Sequence, residues 1–201
     1  MTHQSARTLI DGLGLILHPE GGYFKEIYRS GATPMASQGK TDPEGRLMAA
    51  EDRDGGSRNE MTSIYWMATK EYPICIMGEN VSPHVHYYHS GGPFVYHLIH
   101  PDGRCEEVVM GPDPTQGHVM QMVVPSHVMK AGVLKDGAEY FLVGEGVSPG
   151  FDFRDFKFTK YADIVTRVGQ TKADEMKELG VLYKDPSLNN FDSYYEKKSD
   201  N

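Results

Sequence analysis

From residue 61 to residue 147 apolar and polar side chains mostly alternate, and clusters of Gly, Pro, Asp and Ser cut the alternation at short intervals. Successive residues of a β-strand point to opposite faces, so this pattern predicts a series of short strands, each with one buried face. The predicted strands cover 61–69, 73–77, 84–89, 94–100, 104–110, 118–124, 127–133 and 139–147. An earlier one, 23–29, follows the turn Pro19-Glu20-Gly21-Gly22. Pro101-Asp102-Gly103 and Gly111-Pro112-Asp113-Pro114 supply two of the tight turns. Helical spacing is confined to the ends: 7–15, 161–168, and 172–179 with Thr171 as N-cap and Gly180 placed to stop it. Residues 31–59, rich in Gly, Pro, Ser and charge, read as a long mobile loop.

Roughly ten short strands framed by small helices imply an all-β sandwich or double-sheet barrel, not an α/β sheet. At 201 residues the chain suits one domain, drawn at 1–165, with a helical tail at 166–201. The 28 acidic residues against 20 Lys and Arg give a net charge of −8, and no basic block appears, which argues against a nucleic-acid partner. No apolar run approaches the ~20 residues of a membrane helix, and the N-terminus lacks a signal-peptide layout, so the expectation is a cytoplasmic protein with no membrane partner. Cys75 and Cys105 form no metal spacing or disulfide framework and read as ordinary thiols. Neither a G-x-G-x-x-G turn nor a Walker loop is present, so no nucleotide cofactor is expected.

The chemistry concentrates between Ser82 and His100, where five of the nine histidines fall. His84 and His86 stand two apart on one predicted strand, so both rings reach one spot, either as half of a metal site or as a general base with a neighbour. His89 has the opposite parity, and of His97 and His100 at most one faces the same way. Glu145 is a carboxylate on an otherwise apolar strand and needs a cation, a proton or a ligand there; Lys130 and Arg29 are its candidate ion-pair partners. Tyr65 and Tyr23 are candidate phenols for a pocket, with packing as the alternative.

Six separated segments carry a family resemblance: 18–30 (HPEGGYFKEIYRS), 62–65 (TSIY), 86–93 (HYYHSGGP), 107–113 (EVVMGPD), 123–126 (VVPS) and 147–153 (VSPGFDF). In this order they resemble the DUF985 (cupin_5) branch of the RmlC-like cupin superfamily, over about residues 7–160. The resemblance implies a cupin double-stranded β-helix, a jelly-roll barrel with short flanking helices, that forms a homodimer and holds a small molecule inside. The chain departs from that pattern in two places. Gly78 stands where relatives commonly carry a histidine, and His84 stands where they carry an aliphatic residue. Metal-binding cupins add a nearby Glu and a later His to the His-x-His pair; here Lys130 falls where that later His would be, leaving His127, His118 or Glu145 to complete a site.

The resulting expectation is a small-molecule cupin of the isomerase, epimerase or lyase type, acting on a sugar or organic-acid derivative by acid/base chemistry. His86, Lys130, Tyr65 and Glu145 are its candidate catalytic residues, and His84, His86, Lys130 and Tyr23 its candidate ligand contacts. The ligand is expected to be anionic or strongly polar. A divalent metal on His84 and His86 is the one candidate cofactor. The alternatives are a non-catalytic binding cupin and a metal-dependent oxygenase or lyase.

Overall fold

The computed structural model describes residues 5–33 and 58–182. Most of the strands pair into two antiparallel sheets. One holds, in order, β1 (Ile16–Leu17), β2 (Tyr23–Arg29), β5 (Thr62–Thr69), β12 (Tyr140–Val147), β7 (His84–Gly91) and β10 (Gln121–Val124). The other runs β13 (Phe156–Phe158), β6 (Ile74–Asn80), β11 (Met129–Leu134), β8 (Phe94–Ile99) and β9 (Cys105–Met110). Strands distant in sequence are neighbours in space, and the two sheets face each other as a jelly roll.

The alternation expected from sequence sets what faces the interior. Along β12, Phe141 and Val143 join the core between the sheets, while Tyr140 and Leu142 pack on the outer face against Ile10 and Leu15. Glu145 follows in the inward phase. Along β5, Trp66 and Ala68 point in and Met67 points out. In β6 the phase changes within the strand: Lys130 and Gly132 of β11 pair with Gly78 and Cys75, so two residues of one strand span three of the other. Cys75 joins the inner core while Met77 turns outward.

The helix α1 (Ala6–Leu13) is capped by the Ser5 side chain and ends on Gly14 in the left-handed region. The expected helix at 161–168 is α2 (Tyr161–Val168). The last helix, α3 (Gln170–Glu178), starts early, with Gly169 at its N-cap, so Thr171 lies inside it; Gly180 follows at φ 72°. Ile164, Ala173 and Met176 from these two helices pack with Met77, Ile99 and Met129 on the outer face of the five-stranded sheet. The segment past residue 165 thus covers a sheet face. Of the expected loop 31–59, residues 34–57 lie outside the described residues; its ends, β3 (Ala32–Thr33) and β4 (Arg58–Asn59), pair with each other. The end of the tail, 183–201, also lies outside.

Arg58, 2% exposed, donates from Nε and one terminal nitrogen to both oxygens of Asp155, each at 2.9 Å. This buried two-point pair ties the returning chain to the turn before β13.

Candidate functional site

Cross-strand register builds the site. His86 on β7 is the direct partner of Glu145 on β12, and His84 is the partner of Val147. Both histidines and the carboxylate therefore project from one sheet into the barrel. Lys130 comes from the opposite sheet, where it pairs with Leu98 and Gly78. Its Nζ lies 3.5 Å from Glu145 Oε2. His84 Nδ1 stands 3.7 Å from Glu145 Oε2, and His86 Nδ1 stands 3.5 Å from Oε1. These separations are charge contacts at the outer edge of hydrogen bonding. The two imidazoles are near parallel, 13° apart in plane, with centroids at 6.1 Å. Behind them the Tyr96 hydroxyl meets His86 Nδ1 at 3.3 Å.

All four side chains are buried, His86 completely. Burial pushes the His86 imidazole down to about 3, against the pull of Glu145, and lowers His84 as well. Both are neutral rings near neutral pH. Burial would raise the Glu145 carboxyl, but His86, Lys130 and His84 outweigh it and hold it well below the usual carboxylate range. Burial likewise works against the Lys130 ammonium, but Glu145 together with the other acidic groups around it outweighs burial, so the lysine is held charged. Lys130 thus forms the ion pair with Glu145 that the strand position demanded.

The other half of the cavity was not foreseen from the sequence. His18 and Glu20 flank Pro19 in the turn before β2, and that turn needs its glycines. Gly21 and Gly22 have φ of 94° and 72°, and a Cβ would lie 2.2 Å from the Ile74 carbonyl oxygen or 2.5 Å from that of Met67. The Gly21 carbonyl accepts from Trp66 Nε1 at 3.1 Å, the Glu20 carbonyl accepts from the Ile76 amide at 2.7 Å, and His18 Nδ1 accepts from the Glu20 amide. Thus pinned, Glu20 turns its carboxyl into the barrel, where Cys75 Sγ approaches it at 3.8 Å. Burial, opposed in part by Lys130, pushes the Glu20 carboxyl up to about 7; burial pushes His18 down to about 4. Burial also pushes the Cys75 thiol far up, so it is no thiolate nucleophile. The motif around the paired glycines was the available signal for Glu20.

Glu20, His84, Lys130 and Glu145 line one cavity enclosing about 610 Å³ of empty space including its mouth. Its other wall is apolar, with Phe24, Trp66, Phe151 and Phe153. His86 lies behind Glu145 and does not line this space. Tyr65 and Tyr23 pack with Met67 and Tyr140 on the outer face of the six-stranded sheet, away from the cavity. The Tyr65 ring meets His89 there, at 5.5 Å between centroids. His97 faces Glu107, His100 binds Glu106 and Arg104, and His127 faces Glu79, so these three pair with acidic residues away from the cavity. His118 Nδ1 accepts from the Asp113 amide.

One ligand atom each from His84, His86 and Glu145 lies within 4.8 Å of the others. Among the described residues, both nitrogens of His84 and Nε2 of His86 are buried without hydrogen-bond partners. Two imidazoles and a carboxylate with free lone pairs fit a divalent cation, and these three would hold it. Of the candidates for the third ligand, the fold brings Glu145 and leaves His118 and His127 elsewhere. At Gly78, on the opposite sheet, a Cβ would lie 2.3 Å from the Phe156 ring.

A jelly roll with histidines and a carboxylate converging inside it is the architecture of a cupin. The chain belongs to the family described as Cupin superfamily (DUF985), whose model matches residues 7–159. It is 37% identical over 177 residues to YML079W, an uncharacterized protein of Saccharomyces cerevisiae, covering 86% of this chain and 84% of that one. A solved structure of a hypothetical protein from Leishmania major is similar at 29% identity and a TM-score of 0.66, over 81% of this chain and 92% of that one. Protein SO0799 from Shewanella oneidensis shares the fold at 24% identity and a TM-score of 0.69, over 91% of this chain and all of that one (100%).

Burial of the Glu20 carboxyl has a consequence for stability. The folded protein keeps its proton up to about pH 7, while the unfolded chain releases it near the ordinary value of 4.5. Between those values the unfolded state binds fewer protons, so wild type loses stability as pH rises, by on the order of 3 kcal/mol at about 1.36 kcal/mol per pH unit. Glu20→Gln lacks this loss. In urea titrations its stability relative to wild type is expected to climb from pH 4.5 to 7 and then level off. A difference that stays constant across that range would mean Glu20 is not buried with its proton.

Proposed function

We propose that this cupin is an enzyme that moves a proton on a small polar substrate, by isomerisation, epimerisation or elimination of a sugar or organic-acid derivative. The observation that carries this reading is a pair of carboxyl groups in one cavity with opposite surroundings. Glu145 is ion-paired to Lys130, whereas Glu20 faces a neutral thiol and is poised near neutrality. Titratable groups whose environments separate them in this way divide into an exchanging acid/base and a fixed charge. Glu20 takes or delivers the proton, and Lys130 stabilises negative charge developing on a substrate oxygen. His84, lining the cavity, serves the second proton. Glu145 holds Lys130 and His84 in place, and His86 with Tyr96 positions Glu145 from behind. The same reading includes a homodimer. It is supported by Met61, Tyr87 and Val123, which are 41–57% exposed and apolar, the first two side by side on the outer face of the six-stranded sheet. A sharp monomer mass by light scattering at micromolar concentration would remove that part.

Incubation in D2O with a panel of enolisable 2-oxo acids, hydroxy acids and keto sugars, read by proton NMR, tests the chemistry whatever the product is. Wild type is expected to accelerate deuterium uptake at one carbon of at least one compound, and Glu20→Gln to lower that rate about 10²-fold. Binding without any exchange would leave a non-catalytic ligand-binding cupin.

The unpartnered histidine nitrogens favour a second reading, a metal-dependent cupin. A divalent cation on His84, His86 and Glu145 would supply Lewis-acid polarisation of a bound oxygen. The Lys130 ammonium, 3.5 Å from Glu145, is a cation already in that field and opposes a second one. Lys130→Met is therefore expected to raise zinc affinity, and His84→Ile to lower it by at least tenfold, in calorimetric titrations of chelator-stripped protein. Zinc binding indifferent to both substitutions would place any ion elsewhere.

A further inference from the structure

A second, smaller chamber adjoins the cavity. It has room for about one water-sized group, and Glu20, His84 and Lys130 line both spaces. Its far side is built from Asn80, at the end of β6, with Val124, Val128 and Phe156. Asn80 is 6% exposed. Its Oδ1 accepts from the Ser82 amide at 3.1 Å, which fixes the orientation of the side-chain amide. That leaves Nδ2 as the donor, and Nδ2 is buried with no hydrogen-bond partner among the described residues. An unpaired buried amide is costly, so a donor held in this way calls for an acceptor that arrives from outside.

We infer that Asn80 is a substrate-binding residue whose Nδ2 donates to a carboxylate oxygen, and that the ligand is an organic acid with an apolar or aromatic body. One carboxylate oxygen enters the small chamber, while the rest of the group stays at its junction with the main cavity. The reactive carbon lies beside Glu20, His84 and Lys130, where the two chambers meet. The body rests on the wall formed by Phe24, Trp66, Phe151 and Phe153, a surface that buries carbon better than the hydroxyls of a bare sugar. This rests on reading the cavity as the substrate site and narrows the substrate class given above. The competing account is a resident water that satisfies Nδ2 by itself.

The test is binding of phenylpyruvate, of phenylacetone, which keeps ring and ketone but lacks the carboxylate, and of glucose, by calorimetry at pH 6.5. Wild type is expected to bind phenylpyruvate at least tenfold tighter than phenylacetone and to show no heat with glucose. Asn80→Asp keeps the acceptor for the Ser82 amide but replaces the donor with an oxygen. It is expected to lose the tenfold preference while its phenylacetone affinity stays within twofold. Should that variant not fold, the wild-type protein still decides, because the Asn80 side-chain amide pair in a nitrogen–proton spectrum is expected to shift with phenylpyruvate and not with phenylacetone. Equal affinities for the two ligands, or an amide pair unmoved by phenylpyruvate, would overturn the inference in favour of the water. Tighter binding of glucose would overturn the apolar-acid class. Asn80-dependent binding without deuterium exchange would defeat the proton-transfer reading and leave this one standing; exchange without Asn80 dependence would do the reverse.

Discussion

A single buried charge organises the interior of this barrel. Glu145 sits on a strand whose inward neighbours are Phe141 and Val143, where an unpaired carboxylate would cost several kcal/mol. Lys130 answers it from the opposite sheet, and the two imidazoles of His84 and His86 flank it. The pair joins the two sheets across the core at one point, and its polarity keeps that part of the barrel from closing on itself as a dry apolar core. The empty space beside it follows from this. Taking away either partner leaves the other charge buried, so the two stand or fall together even before any ligand is considered.

Around that fixed pair the remaining groups are neutral or nearly so. His18, His84 and His86 are kept uncharged by burial, the Cys75 thiol is kept protonated, and Glu20 alone sits near the pH of the solvent. The cavity is therefore close to electrically balanced within a chain of net charge −8. An aromatic wall of Phe24, Trp66, Phe151 and Phe153 stands opposite a polar floor that includes Lys130.

Much of this arrangement was legible in the sequence. Period-two alternation placed β2 at its observed limits, and the phase of His84 and His86 gave their shared face. Glu145 was recognisable as a charge in want of a partner because its strand is otherwise apolar, and Lys130 was one of two cations named for it. The rest depended on non-local contacts. Glu20 occupies a turn with no periodicity, and its inward aim comes from backbone bonds to Trp66 and Ile76, far along the chain. For Tyr65 and Tyr23 both a pocket and a packing role were open; they pack on the outer face, and alternation alone does not say which face of a strand is inner. His86 has the expected face but stands one layer too deep, behind the carboxylate. Thr171 is a good cap by type, but Gly169 takes the position because α2 ends there and the chain turns at once into α3.

The slip in β6 acts as a change of reading frame. Upstream of it, odd positions such as Cys75 face the barrel; downstream, even positions such as Gly78 and Asn80 do, and Glu79 turns out to Arg167 on α2. One strand can thereby serve the floor of the main cavity and the far chamber at once, while the extra backbone amide at Ile76 is taken up by the Glu20 carbonyl. Losing that extra residue would restore plain alternation, with Cys75, Gly78 and Asn80 still facing in and Glu79 out, but it would remove the spare amide that the Glu20 carbonyl takes up. Length, as much as side-chain identity, is thus encoded information in residues 74–80: a chain with one residue fewer there would keep the wall of the far chamber and lose a bond that holds Glu20 toward the barrel.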